Sequence, residues 1–184
     1  DLDIEQKYAE WSISKDEHEI MFEMLFINFF RYSFITTLYL FVENRLRDFC
    51  QELKNSNSDF PEPPKTQNQI IKSYRQYLRD EINIDSKFWN KIIELSKIRN
   101  CIVHRSGRVN QNEKSFINLC ENTAGLVISS PDRPFPEDIQ PLYLEDGVII
   151  LESKYCKDTV QIVRKFFQEL FENDLLPKLI IGHD

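Results

Sequence analysis

The sequence predicts a mainly α-helical protein that forms a single domain over residues 1–184. Apolar residues recur at steps of three and four in several stretches, which is the period of helices that bury one face. Only 4 of the 184 residues are glycine, and the pattern of a β-hairpin is confined to residues 142–151. A hydrophobic content of 41% is enough for one sizeable core. We therefore expect a helical bundle with a small β-hairpin insertion.

The first predicted helix runs from about Asp16 to Lys54 and is rich in aromatic residues. Its uncharged run from Tyr32 to Val42 is shorter than the roughly 20 residues that cross a bilayer, so we expect no membrane association. This composition predicts a helix that is buried on more than one side. Aromatic side chains that are not buried within one chain can form a dimer interface.

A proline-rich connection over residues 55–69 leads into a second predicted helix, from about residue 67 to residue 79. Lys72, Arg75 and Arg79 form a basic stripe on this helix, with tyrosines between them. The stripe is either a surface that follows a strand of RNA or an ordinary solvated helix face.

The third predicted helix begins after Asp85 or Ser86, either of which can cap it, and stops at Gly107. Its last turns hold His104, the only histidine in the middle of the chain, between Arg99 and Arg105. Imidazole transfers protons near neutral pH and guanidinium binds phosphate oxygens as a fork, so this segment predicts a phosphodiester site. The alternative is a solvated helix end at which the helix dipole favours cations.

The angular positions of these side chains restrict such a site. At about 100° per residue, Asn100 and His104 share one face of the helix, whereas Arg99 and His104 lie about 140° apart. A straight helix in one copy is not expected to direct both at one phosphate. We therefore expect either that the last turn unwinds before Gly107 or that a second copy of the chain completes the site.

The segment Ile98-Arg99-Asn100-Cys101-Ile102-Val103-His104 resembles the signature of the HEPN superfamily (higher eukaryotes and prokaryotes nucleotide-binding domains). That signature is an arginine followed by four to six residues and a histidine, often with a polar residue directly after the arginine, as Asn100 is here. The resemblance implies an all-α domain with a core from about residue 16 to residue 125 plus the C-terminal helix. It also implies a dimer that acts as a metal-independent ribonuclease in toxin–antitoxin, phage-defence or RNA-processing systems.

The resemblance also implies roles for individual residues. The catalytic candidates are Arg99, Asn100, His104 and, in support, Glu43. Relatives often carry a glutamate on the corresponding first helix, but Glu43 can equally form a surface ion pair with Arg47 four residues later. Apart from the resemblance, the local cluster of positive charge makes Lys97, Arg105 and Arg108 the RNA-binding candidates. Some relatives carry a tyrosine two residues after the histidine that receives a nucleotide; Ser106 stands there, which counts against that modification.

The C-terminal third changes character. We predict a helix over residues 112–123, a strand over residues 126–128 and a hairpin insertion within residues 126–152, before a last helix over residues 155–176. The hairpin pairs residues 142–144 with residues 148–151 through an Asp146-Gly147 turn. It either covers one side of the site or forms a surface for a partner.

Composition excludes several functional classes. A net charge of −7 argues against a general nucleic-acid coat protein, so any RNA contact must be local. The four cysteines are far apart without zinc-type spacing and are expected to be reduced core residues. No phosphate-binding loop or metal motif is present, so we expect no cofactor and no metal. The acidic start of the chain is unlike a signal peptide, which predicts a cytoplasmic protein.

The sequence leaves two functions open. The first is an endoribonuclease that works as a homodimer with the Arg99 and His104 motifs of two copies paired, with RNA as its substrate. The second is a non-catalytic module that binds RNA or a partner protein, such as a cognate antitoxin, and dimerises through the same face. The position of His104 separates them, because burial against backbone carbonyls would favour a binding or structural role.

Overall fold

The computed structural model describes residues 2–56, 58–65, 70–110, 112–129 and 147–172, with the side chains of residues 2–25, 81 and 82 left out. Five α-helices and three short β-strands lie in these ranges, which confirms the predicted mainly α class. Helices α1, α2, α3 and α5 pack around one hydrophobic core.

Helix α1 spans Leu2–Ser56 and so begins well before the predicted residue 16. Its core residues follow one another at alternating steps of three and four, namely Tyr32, Ile35, Tyr39, Val42, Leu46, Phe49 and Leu53. Contrary to the prediction of burial on more than one side, Phe29 and Phe30 are each 62% exposed. No helix in the described ranges combines the length and apolar content that a membrane span requires.

The other long helices pack against the buried stripe of α1. Helix α2 spans Ile70–Ile82, α3 spans Trp89–Arg105 and α5 spans Ser153–Glu172, so residues 173–176 of the predicted last helix lie outside the described residues. Residues 58–65 are irregular, as predicted, and the hydroxyl of Tyr77 on α2 donates a hydrogen bond to the Pro61 carbonyl (3.0 Å).

The start of α3 differs from the prediction that Asp85 or Ser86 caps it. Phe88 is the residue before the first helical turn, and no side chain caps the helix. Instead, the Ser86 hydroxyl accepts a hydrogen bond from the Phe88 amide (3.1 Å), and the Asp85 carboxylate accepts one from the Ser86 amide (3.0 Å). A capping side chain accepts a hydrogen bond from an amide of the first helical turn, whereas these two side chains bond to amides that precede the helix. Asp85 and Ser86 therefore stabilise the turn before α3 and do not cap it.

A three-stranded antiparallel sheet lies beside the helices in the order β1, β3, β2. The strands are β1 (Arg108–Val109), β2 (Leu126–Ser129) and β3 (Gly147–Leu151), and α4 (Lys114–Glu121) joins the first two. The predicted strand at residues 126–128 is confirmed. The predicted second strand of the hairpin is β3, but its described partners are β1 and β2, and residues 142–146 lie outside the described residues.

Polar side chains of α1 hold this sheet in place. The buried amide of Asn28 donates to the Ile149 carbonyl (3.1 Å) and accepts from the Leu151 amide (3.0 Å). The Tyr32 hydroxyl also donates to the Ile149 carbonyl, and Arg31 donates to the Leu151 carbonyl (2.7 Å). Because β3 pairs with β1, which follows α3 directly, these bonds fix the end of α3 relative to α1.

The cysteines are free thiols, as predicted, and three of the four are buried, Cys50, Cys101 and Cys120. Burial raises the pKa of both Cys50 and Cys120 to about 12. These thiols are therefore neutral near pH 7, and they act as small apolar core residues.

Candidate functional site

Helix α3 presents polar side chains opposite the face that it buries. Ser96, Asn100 and His104 follow one another at four-residue steps, and Asn100 and His104 are exposed. The other face of the helix is buried in the core through Trp89, Ile92, Leu95, Ile98, Cys101 and Ile102. His104 is therefore a solvent-accessible group on a rigid element, and it is not a core histidine.

A cleft of about 490 Å³ lies between α1, α2 and α3. Five of the seven predicted site residues line it, namely Glu43, Lys97, Arg99, Asn100 and His104. Its remaining lining residues are Tyr39 from α1, Ile70, Ile71 and Lys72 from the start of α2, and Ile93 and Ser96 from α3. The cleft thus combines an imidazole and three cations with one carboxylate.

Arg99 is held by contacts on two sides. Its Nη1 donates a hydrogen bond to the Oδ1 atom of Asn100 (2.9 Å), and its Cζ lies 5.1 Å from the centroid of the Tyr39 ring. That separation is within the range of a cation–π contact. The Nε atom is buried and has no hydrogen-bond partner among the described residues.

Tyr39 and Glu43 form the α1 side of the cleft, one helical turn apart. Burial raises the pKa of the Tyr39 hydroxyl, a hydrogen bond with Ser96 opposes this, and the charge of Glu43 adds to it. Glu43 also accepts a hydrogen bond from Arg47 (3.2 Å). Glu43 therefore forms the predicted ion pair with Arg47, and it also lines the cleft.

Unwinding of the last turn of α3, one of the two alternatives that the sequence left open, does not occur. The helix continues to Arg105, and it ends where Ser106 (φ 54°) and Gly107 (φ 80°) take left-handed conformations. Arg99 and His104 nevertheless line the same cleft. The long, half-buried side chain of Arg99 reaches the space beside Asn100, which lies on the same face as His104.

The two remaining predicted residues lie outside the cleft lining. Arg105 forms an ion pair with Glu113, and its guanidinium lies over the Phe116 ring (5.6 Å). Arg108 is an exposed residue of β1. In the sequence, charge alone grouped Arg105 with Arg99, but six residues of helix place the two about 120° apart around the axis. Arg105 is also already neutralised by a carboxylate.

Three polar residues of the cleft, beside its three isoleucines, were not predicted as parts of the site, namely Tyr39, Ser96 and Lys72. Lys72 was predicted only as part of the basic stripe on the second helix, whose role was left open. Tyr39 precedes Glu43 by one turn, and Ser96 precedes Asn100 by one turn, so helical spacing from the predicted residues was the available signal. Lys72 had no such signal, because its position depends on how α2 packs beside α3.

The described residues hold no group of three or more His, Cys, Asp or Glu side chains placed to bind a metal ion. Comparison of the chain with family models, with curated proteins and with solved structures gives no match.

Proposed function

We propose that this cleft is the active site of a metal-independent endoribonuclease of the HEPN type. The observation that supports the proposal best is that Arg99, Asn100, His104 and Glu43 line one open cleft. Lys72 and Lys97 are exposed and add positive charge at the same cleft, although the whole chain carries a net charge of −7. Local positive charge of this kind attracts the phosphates of an RNA strand.

The residues fit an internal transfer reaction. His104 accepts the proton of a ribose 2′-hydroxyl, and that oxygen attacks the adjacent phosphorus. Arg99 donates hydrogen bonds to the phosphoryl oxygens as negative charge builds on them. The bond to the 5′-oxygen of the next nucleotide then breaks, which leaves a 2′,3′-cyclic phosphate and a 5′-hydroxyl. No metal is required in this scheme, because the attacking oxygen belongs to the substrate.

The departing 5′-oxygen needs a proton, and His104 is the one histidine among the described residues that line the cleft. A homodimer in which two motifs face each other provides both a base and an acid. The exposed aromatic residues of α1 support such a dimer, because large apolar side chains exposed on one helix are typical of an interface. Val103, next to His104, is 46% exposed and adds an apolar residue beside the motif.

The alternative function is a non-catalytic HEPN module that binds RNA or a partner protein through the same cleft. Exposed Lys72 and Lys97 serve binding as well as catalysis. The exposure of His104 favours the nuclease, because a histidine with a purely structural role is ordinarily packed against partners.

Product analysis tests the proposal directly. We expect purified protein to cleave RNA in the presence of EDTA and to leave cyclic phosphate and 5′-hydroxyl ends, identified by end labelling and mass spectrometry. RNA with 2′-O-methyl groups, or DNA of the same sequence, should stay intact because the nucleophile is blocked or missing. Cleavage that requires Mg²⁺ or leaves 5′-phosphates would contradict the proposal, and retention of RNA without cleavage would indicate the binding module.

Dimerisation gives a second test. We expect light scattering at micromolar concentration to report twice the chain mass of 22.0 kDa. Phe30→Glu should produce a monomer of unchanged helicity, because it places a charge in an exposed apolar face. Val160→Glu is the matched control, since Val160 is an exposed apolar residue of α5. A monomeric wild-type chain, or a dimer that Phe30→Glu leaves intact, would contradict this prediction.

A further inference from the structure

Tyr39 is a buried residue that contacts the polar side chains of the cleft. Only 4% of its surface is exposed, and it lies opposite α3 on the buried stripe of α1. Its ring faces the guanidinium of Arg99 at 5.1 Å, and its hydroxyl interacts with Ser96 and Glu43. One side chain thus contacts three polar residues of the cleft from the core side.

These contacts restrict the conformations that the side chain of Arg99 can adopt. Asn100 occupies Nη1 through a hydrogen bond of 2.9 Å, and the Tyr39 ring lies beside the guanidinium. The buried Nε–H has no hydrogen-bond acceptor among the described residues. A buried donor without an acceptor is unfavourable, so its surroundings must hold the side chain there, and groups of this kind are concentrated at functional sites.

We propose that Tyr39 is a positioning residue that fixes the guanidinium of Arg99 in the orientation that receives a phosphate, an inference that rests on the proposed function. An arginine side chain free in solvent populates many rotamers, and it must lose that freedom when it binds. A guanidinium that is already held between an aromatic ring and an amide has lost this rotamer freedom before the substrate binds. The ring supplies this restraint, and the hydroxyl links it to Ser96 and Glu43.

Two substitutions separate the ring from the hydroxyl. Tyr39→Leu removes the aromatic face, and Tyr39→Phe keeps it while removing the hydroxyl. Since transition-state charge on the phosphate is what Arg99 stabilises, Tyr39→Leu should lower kcat about 10-fold with a smaller change in KM. Tyr39→Phe should stay within about 3-fold of the wild type. Tyr77→Leu is the control for losing a buried tyrosine outside the cleft.

A second measurement needs no RNA. In a ¹⁵N-edited NMR spectrum, the Nε–H signal of Arg99, assigned by its loss in Arg99→Lys, should exchange with water far more slowly than that of exposed Arg164. The protection should persist in Tyr39→Phe and disappear in Tyr39→Leu. If Tyr39→Leu does not fold, exchange at Arg99 as fast as at Arg164 in the wild-type protein or in Tyr39→Phe still overturns the inference.

The outcomes are distinguishable. Slow exchange at Arg99 together with a kcat loss specific to Tyr39→Leu supports the inference. Exchange at Arg99 as fast as at Arg164, or equal kcat losses in Tyr39→Leu and Tyr77→Leu, overturns it. If the wild type cleaves no RNA, the proposed function fails, and the exchange measurement alone then shows whether Tyr39 holds Arg99.

Discussion

Replacing His104 with alanine is expected to lower the rate of RNA cleavage by about 100- to 10,000-fold, the usual contribution of a side chain that transfers a proton. The same change should lower the melting temperature by no more than about 2 °C, because His104 is exposed on α3 and contributes little to the core. Steady-state cleavage assays and thermal unfolding followed by circular dichroism measure the two effects. Loss of activity without loss of stability distinguishes a reacting group from a structural one.

Arg99→Ala extends this test to the phosphate contact. It removes a charge-assisted interaction of about 1.5–3 kcal/mol, which corresponds to a roughly 10- to 150-fold loss, and RNA affinity should fall with the rate. Arg164→Ala is the matched control, because Arg164 is an exposed arginine of α5 away from the cleft. If the His104→Ala protein unfolds, or cleaves RNA as fast as the wild type, the nuclease assignment fails at this site.

The helical part of the fold was predictable because periodicity is a local property of the sequence. The repeat of apolar residues along α1, α3 and α5 gives the helices and their buried faces directly. The sheet was only partly predictable. Strand β1 is two residues long and owes its conformation to pairing with β3, so nothing in Arg108–Val109 alone indicates a strand.

The candidate site likewise has a part that could be predicted from the sequence and a part that depends on tertiary packing. Arg99, Asn100 and His104 were recognisable because they lie within six residues of one helix. The contact of Tyr39 with Arg99 joins residues on different helices, and its geometry depends on how α1 packs against α3. The ion pair of Arg105 with Glu113 could not be predicted, because it depends on where the chain turns after α3. Charge along a sequence does not distinguish a free cation from a paired one.

Gly107 is expected to be the most sensitive backbone position beside the site, and Gly107→Ala should lower the free energy of unfolding by roughly 2–5 kcal/mol. The residue has φ +80°, which costs an L-residue with a Cβ atom about 1–2 kcal/mol. A Cβ there would also lie 2.0 Å from the Tyr32 hydroxyl, and such overpacking adds about 1–3 kcal/mol. Tyr32 would have to move to relieve this clash, and its hydroxyl donates a hydrogen bond to β3 that holds the sheet on α1.

The adjacent residue provides a control of opposite sign. Ser106 has φ 54°, so Ser106→Gly removes the left-handed strain of a residue with a Cβ atom. After the entropy that glycine adds to the unfolded chain, the net gain should be about 0.5–1 kcal/mol. Chemical denaturation of both variants measures the two changes, and Tyr32→Phe combined with Gly107→Ala should recover part of the loss by removing the nearest clashing atom. If Gly107→Ala is as stable as the wild type, the close approach of α1 to the end of α3 is wrong, and with it the packing that brings Tyr39 to Arg99.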